Sequence, residues 1–297
     1  MIHSETRNSP ENFSVVFITV DSCNFETAKN ANTPILNSIS KVKKCYTSST
    51  YTYPAHHSFF LGHLPELIEN KYYFDNYGKV WRSTQAWDTG DKVAIYYETS
   101  TIIEFYEKKG FDTRGFGGVG FFNNSIKQNL LPKMFKNFTY FDSHQKIRGS
   151  VPRSPAKFPL NHIDEIVTNL NDKNGFFIFI NEIATHIPYD HPNTSLPNNY
   201  KELSKKLVQE HYMKKSYKKG YLPFSVGAIE MFKNEQIKSL EWIDIKLGEL
   251  LSKLPKKKPI LVIVLGDHGE EFGEGGKFGH FHFHPTVMTV PLWCGVV

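Results

Sequence analysis

Two uninterrupted apolar runs, one near each end of the chain, dominate its pattern of hydrophobic and polar positions. The first covers residues 13–20 and the second covers residues 259–265. Short runs that are rich in Val, Ile and Leu and apolar at successive positions are typical of strands buried on both faces of a parallel sheet. Such sheets are covered by helices on both faces. The pattern therefore predicts an α/β fold built on a mostly parallel central sheet.

Polar residues end both runs and carry the candidate chemistry. Asp21 follows the first run, and Asp267 and His268 follow the second. Open α/β sheets place their functional residues at the carboxyl ends of the strands, where these three side chains would meet. Carboxylates and imidazoles are ligands of divalent metal ions. The alternatives are a surface turn with chance histidines at His268 and an ordinary helix-capping role for Asp21.

The candidate ligands come from both ends of the sequence, which argues against a domain boundary between them. The chain has 297 residues, of which 40% are hydrophobic, and this is ample for one core. We therefore expect a single domain that covers residues 1–297.

Several short motifs occur in a fixed order along the chain. Thr52-Tyr-Pro-Ala-His56 is followed by Gly62 and Pro65, and residues 32–36 read Asn-Thr-Pro-Ile-Leu. Residues 177–180 form a further apolar run, after which residues 185–189 read Thr-His-Ile-Pro-Tyr. Together with the strand ends, these motifs resemble the alkaline phosphatase/sulfatase superfamily over nearly the whole chain. The resemblance implies an alkaline-phosphatase-like sheet with helices on both faces.

The resemblance gives Thr52 the position of the nucleophile, at the start of a helix and in contact with the metal held by Asp21, Asp267 and His268. Type I sulfatases carry Cys or Ser there and convert it to formylglycine, which Thr cannot form. The chain is therefore more similar to phosphoethanolamine transferases and nucleotide pyrophosphatases, which act on phosphoesters through a phosphothreonine intermediate. A sulfate-ester or phosphonate hydrolase of the same fold, and a catalytically degenerate protein that only binds metal or anions, are the alternatives.

The number of metal ions is left open by the sequence. In two-metal relatives, Glu182, His186 and His280 match the ligands of a second ion. In one-metal relatives, His186 and His280 match residues that contact the transferred group. Zn or Mn suits the imidazole-containing set best, while Ca or Mg remains an alternative.

Four further side chains complete the candidate site. The resemblance places His56 and Lys277 near the substrate. His282 and His284 alternate with His280, and four of the 13 histidines lie between His268 and His284. In an extended segment alternate side chains share one face. These two histidines are therefore either alternative ligands or a solvated edge.

The basic residues cluster in one region. The net charge is +5, and seven lysines lie between Lys201 and Lys219. We interpret residues 190–226 as a basic lid that attracts an anionic substrate, either a small molecule or a polymer. A solvated helix explains the same lysines without a function. Interleaved tyrosines also suit nucleic acid, although no nucleic-acid-binding motif specifies it.

The remaining composition bears on the cellular compartment. The three cysteines have no spacing that suggests a disulfide framework. The first apolar run is too short for a secretory signal or a membrane span. We therefore expect a cytoplasmic protein without a transmembrane segment.

Overall fold

A computed structural model describes residues 9–62, 100–126, 129–141, 155–192, 196–212 and 224–297. Seven of its strands form one sheet and two form a hairpin. The strands of the sheet are β1 (Ser14–Val20), β2 (Lys43–Tyr46), β3 (Asp112–Gly117), β4 (Asn137–Tyr140), β5 (Phe176–Glu182), β6 (Ile260–Gly266) and β9 (Thr289–Val296). The hairpin strands are β7 (Glu271–Phe272) and β8 (Phe278–Gly279).

Helices connect most of these strands within the described residues. They are α1 (Phe25–Asn30), α2 (Pro34–Ile39), α3 (Thr52–Leu61), α4 (Ile102–Lys108), α5 (Ile163–Val167), α6 (Asn198–Tyr212), α7 (Val226–Lys253) and α8 (Pro285–Met288). Asn24, Thr101 and Ser225 cap α1, α4 and α7 with side-chain oxygens that accept backbone N–H groups. No helix in the described part of the chain is both long and apolar enough to cross a membrane.

The sheet has the order β2-β9-β6-β1-β5-β3-β4, and only β9 opposes the direction of the others. Strand β1 lies between β6 and β5 and pairs with both in parallel. Its last residue, Val20, is in register with Gly266 and with Glu182. The carboxyl ends of these three strands are therefore level, and the residues that follow them enter the same space. The predicted mostly parallel sheet is confirmed.

Helices cover both faces of the sheet because β1 is apolar on both sides. Val16 and Ile18 pack in one core cluster with Leu240 of α7. Val15 and Phe17 point the other way, into a second cluster that includes residues of α3 and α4. All seven residues of β1 are buried. The continuous apolar run of the sequence thus reflects a strand with no solvent-facing side.

A third apolar cluster fixes α6 against α7 and the β7–β8 hairpin. It contains Tyr200 and Leu207 of α6, Phe232 of α7, and Phe272 and Phe278 of the hairpin. This packing covers part of the predicted lid, residues 190–226.

The lysines of the predicted lid fall into two sets. Those on α6 are exposed: Lys201, Lys205 and Lys206. The others lie outside the described residues: Lys214, Lys215, Lys218 and Lys219. The attraction of an anion to this segment remains a prediction.

Gly266 ends β6 in a place that has no room for a side chain. A Cβ at this position would lie 2.5 Å from the carbonyl oxygen of Cys23 and 3.0 Å from Cβ of Val290. We expect Gly266→Ala to lower the free energy of unfolding by about 1–3 kcal/mol, because backbone must move. Chemical denaturation of both proteins measures this difference.

Gly227, in the first turn of α7, supplies the matched control. A Cβ there meets nothing within 4 Å. Gly227→Ala should leave stability unchanged or raise it by up to about 1 kcal/mol, since Ala restricts the unfolded chain more than Gly does. Equal destabilisation by the two substitutions would contradict the steric argument.

Candidate metal centre and nucleophile

Three side chains at the level strand ends form a compact cluster of metal-ligand type. Asp21 follows β1, and Asp267 and His268 follow β6. Their ligand atoms all lie within 4.8 Å of one another, and the three residues are fully buried. Among the described residues this is the only group of three or more such side chains. The structure therefore brings together the three primary ligands that the sequence predicts.

The spacing of the donor atoms fits one divalent ion. His268 Nε2 lies 3.7 Å from Asp21 Oδ1 and 3.6 Å from Asp267 Oδ2. Donor atoms that bind one tetrahedral ion at about 2 Å are roughly 3.3 Å apart, so small adjustments close the gap. Asp267 Oδ2 is buried and accepts no hydrogen bond from the described residues. A buried carboxylate oxygen without a hydrogen-bond donor fits the role of a metal ligand.

Hydrogen bonds hold the remaining carboxylate oxygens in place. Asp267 Oδ1 accepts the backbone N–H groups of Ser22, at 3.1 Å, and of His268, at 2.9 Å. The Ser22 hydroxyl donates to Asp21 Oδ1 at 3.2 Å, and the Asn181 amide donates to Asp21 Oδ2 at 3.3 Å. The loop after β1 therefore orients both acids, and β5 supplies a third support.

The two carboxyl groups have opposite pKa shifts. Burial raises the pKa of Asp267 well above its usual range, and the negative charge of Asp21 raises it further. Burial also acts to raise the pKa of Asp21, but the imidazoles of His186 and His268, the hydrogen bond from Asn181 and the imidazole of His56 together lower it. A divalent cation between the two carboxylates removes their repulsion and favours the ionised form of both.

His268 presents one defined nitrogen to the cluster. Its Nδ1 lies 3.0 Å from the carbonyl oxygen of Gly269, which only accepts, so Nδ1 carries the proton. Burial lowers the pKa of His268 to about 4. The ring is therefore neutral near pH 7, with the Nε2 lone pair directed at Asp21 and Asp267. A backbone partner of this kind is the usual support of a metal-binding histidine.

Thr52 is the first residue of α3 and reaches the same cluster. Its hydroxyl donates to Asp21 Oδ2 at 3.3 Å and lies 3.5 Å from His268 Nε2. The first N–H groups of a helix have no intrahelical partner and favour negative charge nearby. The predicted nucleophile thus stands between the candidate metal ligands and an anion-attracting helix end.

His56 lies beneath Thr52 and not at a surface that a substrate can reach. It is fully buried among aromatic rings that include Phe122 and Phe179. Its Nδ1 donates to the carbonyl oxygen of Thr52 at 2.7 Å, and its Nε2 accepts from the Thr19 hydroxyl at 2.8 Å. Burial lowers its pKa to about 4, so it stays neutral. His56 was predicted to contact the substrate. Its buried ring instead connects β1 to α3 through these two hydrogen bonds.

His186 and His280 both lie beside the cluster. The His280 ring centroid is 4.5 Å from that of His268 and 5.4 Å from that of His186. His280 is buried, whereas His186 is partly exposed in the loop after β5. The geometry fits residues that contact a group bound at the metal centre.

Glu182 is the sequence-predicted ligand that the structure does not bring to the cluster. Its Oε1 accepts the N–H groups of Ile183, at 2.8 Å, and of Ala184, at 3.0 Å. Its Oε2 accepts the N–H of Leu160 at 2.9 Å. Side chains alternate along β5, so Asn181 faces Asp21 and the next residue faces away. Glu182 therefore organises the loop after β5, which corrects its proposed place in a second metal site.

The three remaining sequence candidates surround the β7–β8 hairpin. His282 Nε2 lies 2.5 Å and His284 Nδ1 lies 3.7 Å from Glu271 Oε2, so neither belongs to the cluster of three ligands. Lys277 donates its backbone N–H to Glu271 Oε1 at 3.1 Å. Its ammonium makes no ion pair within the described residues, and its contact with substrate remains a prediction.

Two site residues escaped the sequence analysis. Asn181 interrupts the apolar run of β5 one position before the strand ends. A polar residue there, level with Thr19, was the available signal. Glu270 lies three positions from Asp267 and is fully buried. The adjacent Glu271 is also acidic, so the sequence alone does not show which of the two residues faces the cluster.

A family model described as Sulfatase matches residues 14–289. The chain belongs to the sulfatase family. The matched range contains every candidate ligand and Thr52, and the predicted membership of the wider superfamily is confirmed. A search of curated protein sequences finds no significant match to this sulfatase-family chain.

Solved structures of low sequence identity share the fold. The lipoteichoic acid synthase LtaP from Listeria monocytogenes is 15% identical, with a TM-score of 0.55 over 96% of this chain and 65% of that one. The periplasmic domain of EcEptC from Escherichia coli, in complex with Zn, is 14% identical, with a TM-score of 0.56 over 95% and 72%. The phosphonate monoester hydrolase of Agrobacterium radiobacter is 12% identical, with a TM-score of 0.60 over 95% and 67%. The sulfatase-family chain thus spans about two thirds of these chains.

If these residues are the ligands, substituting two of them should abolish metal binding. Asp267→Asn combined with His268→Ala removes one charge and one imidazole from the cluster, so a divalent ion should no longer be retained after dialysis. Elemental analysis of Zn and Mn measures this. Asp244→Asn, which alters another buried carboxylate that accepts N–H groups of α2, should keep the metal of the parent. Full occupancy in the double variant would contradict the assigned ligands.

The position of Glu182 makes a separate prediction. In the parent, Glu182 Oε2 accepts the N–H of Leu160. In Glu182→Gln the side-chain NH2 group takes the place of this oxygen, so two donors face each other. We expect unfolding to require about 1–3 kcal/mol less free energy, with metal content unchanged. Thermal unfolding and elemental analysis on the same sample separate the two effects. Loss of metal at unaltered stability would restore Glu182 as a ligand.

Proposed function

We propose that this protein is a metal-dependent phosphoester hydrolase or phosphotransferase that uses Thr52 as its nucleophile. The observation that carries the proposal is the position of the Thr52 hydroxyl. It lies 3.3 Å from Asp21 and 3.5 Å from His268 at the first residue of α3. A hydroxyl that is both beside a metal-ligand cluster and at a helix N-terminus is placed for covalent catalysis on an anionic ester.

Each side chain of the cluster has its own role in the proposed reaction. A divalent cation held by Asp21, Asp267 and His268 supplies, when bound, a lower pKa for the neighbouring hydroxyl and a counter-charge for the ester oxygens. Asp21 Oδ2 accepts the hydroxyl hydrogen of Thr52 and so orients the oxygen. Thr52 Oγ1 then gives up its proton to solvent and forms a bond to phosphorus, while the bond to the leaving group breaks and the departing oxygen takes a proton from a neighbouring imidazole or from water. Water or a second alcohol next takes the phosphoryl group from Thr52, which gives hydrolysis or transfer.

His186 and His280 are proposed to contact the phosphoryl group during both steps. Their rings lie 5.4 Å apart beside His268. In its protonated form imidazole can donate a hydrogen bond to a developing oxyanion or a proton to a departing alcohol, and in its neutral form it can accept a proton from the attacking water or alcohol, as general acid and base catalysis require. The buried pair His56 and Thr19 holds the Thr52 backbone, which fixes the nucleophile relative to these rings.

The identity of residue 52 favours phosphorus over sulfur. Formylglycine is made from Cys or Ser, and the chain has Thr at this position. Among the proteins of similar fold, LtaP and the EptC domain are named as a lipoteichoic acid synthase and, for EptC from Campylobacter jejuni, a phosphoethanolamine transferase. These likenesses support phosphoryl transfer for this chain, with an anionic substrate whose leaving group is unspecified.

Substitution of the nucleophile tests the proposal directly. Thr52→Ala should lower kcat for bis(para-nitrophenyl) phosphate by at least about three orders of magnitude, because the covalent route is lost while the metal ligands remain. Thr52→Ser keeps the hydroxyl and should retain part of the activity. Elemental analysis should show the same metal content in all three proteins.

A covalent intermediate can be trapped in the same experiment. Acid quenching during turnover of a phosphorus-labelled ester should leave label on the peptide that contains Thr52 in the parent and none in Thr52→Ala. Normal turnover by the Ala variant would show that water attacks directly and would remove Thr52 from the mechanism.

Substrate class is tested by comparing the turnover of phosphate esters with that of a sulfate ester. Turnover of para-nitrophenyl phosphate esters should exceed turnover of para-nitrophenyl sulfate by at least about two orders of magnitude, since Thr52 cannot supply the aldehyde hydrate. Mass spectrometry of the resting protein should find residue 52 unmodified. Efficient sulfate-ester hydrolysis would favour the sulfatase alternative. Metal retention without turnover of any ester would favour a binding protein.

A further inference from the structure

Two consecutive buried acids, Glu270 and Glu271, face the three alternating histidines that close the site. Glu271 pairs with Gly279 in the β7–β8 hairpin, and Phe272 pairs with Phe278. Continuing this antiparallel register places Glu270 opposite His280, on the same side of the ribbon. The observed contact agrees, because Glu270 Oε1 lies 3.2 Å from His280 Nδ1.

The two acids have separate tasks. Glu271 binds the hairpin itself, since its Oε1 accepts the N–H groups of Gly275 and Lys277 and its Oε2 contacts His282. Glu270 points to the opposite side, toward the cluster, and both it and its partner His280 are buried. The histidine beside the metal centre is thus the one that Glu270 holds.

We propose that Glu270 is the positioning residue that fixes the ring orientation and tautomer of His280. A Glu270 oxygen that accepts the Nδ1–H places the ring proton on Nδ1 and leaves Nε2 as the nitrogen on the side away from Glu270. That nitrogen is the one available to a group bound beside His268. The inference deepens the proposed function and rests on it for the catalytic role of His280.

The contact between Glu270 and His280 is shielded from water. Both residues are buried, and Glu270 Oε1 lies 3.2 Å from His280 Nδ1. Carboxylate–imidazole pairs that orient a ring in this way typically change activity by about 10–100-fold when broken.

A double-mutant cycle on the metal-loaded protein tests the inference. Glu270→Leu removes the acceptor and should lower kcat for bis(para-nitrophenyl) phosphate by about 10–100-fold, with KM changed less than about threefold. Glu270→Gln keeps an acceptor oxygen and should recover much of the loss. Glu270→Leu combined with His280→Ala should be no slower than His280→Ala alone, within about twofold, because the acid acts through the ring.

The control is another buried carboxylate that has a structural task. Asp244 accepts the N–H groups of Leu36 at 2.7 Å and Ile35 at 3.2 Å. Asp244→Asn should lower the unfolding temperature without changing kcat or KM, which separates lost stability from lost positioning. If Glu270→Leu does not fold, Glu270→Met offers similar length without an acceptor and takes its place.

Nitrogen NMR of the histidine side chains provides a readout that does not depend on turnover. His280 should show one tautomer, protonated at Nδ1, in the parent and in Glu270→Gln, and a mixture in Glu270→Leu. Additive losses in the cycle, or an unchanged tautomer in Glu270→Leu, would overturn the inference. If the parent turns over no phosphoester, the proposed function fails, and the NMR comparison alone still decides the role of Glu270.

Discussion

The repulsion between two fully buried carboxylates is the constraint on which this structure depends. Asp21 and Asp267 are held together because β1 and β6 pair in parallel with their ends level. Isolated negative charges are costly to bury, so the arrangement is stable only if something positive or protonated lies between them. The hydrogen bonds from Ser22 satisfy one oxygen of each acid, whereas the buried Asp267 Oδ2 accepts none from the described residues and could bind a cation. Binding of the proposed divalent cation at this point would therefore stabilise the folded chain.

A chain of buried hydrogen bonds holds the backbone of Thr52, the proposed nucleophile. Asn181 of β5 donates to Thr19 of β1, whose hydroxyl donates to His56, and His56 donates to the carbonyl oxygen of Thr52. Each link joins a different element of the fold. In a low-dielectric interior such a satisfied network restrains its members strongly. The orientation of Thr52 consequently depends on the central strands as well as on its own helix.

Much of the fold was predictable from β1. This strand is apolar at nearly every position, and such a strand must be covered on both faces. The cluster of Asp21, Asp267 and His268 was predictable because these residues follow such strands directly. The sequence left the role of Glu182 open because a four-residue spacing to His186 does not show which face of β5 a side chain takes. Asn181, one position earlier, takes the face toward the site.

The histidine-rich closing segment shows a second limit of sequence pattern. His280, His282 and His284 alternate, which suggested one shared face. In the structure His280 contacts Glu270, whereas His282 and His284 approach Glu271. The positive φ of Phe281 interrupts the extended backbone between His280 and His282. Local periodicity carries no information about such a turn in a bulky residue, for which tertiary contacts must compensate.

The level ends of β1, β5 and β6 have a consequence for how this scaffold can change over evolutionary time. A single residue inserted within β6 would exchange its two faces and carry Asp267 away from Asp21. Insertions at the opposite edge of the sheet, such as the turn around Asn174, leave the register of the ligand-bearing ends untouched. Insertions that change length or specificity can therefore accumulate in the connections between the strands. Within the three strands themselves, an insertion would shift the register that brings the candidate ligands together.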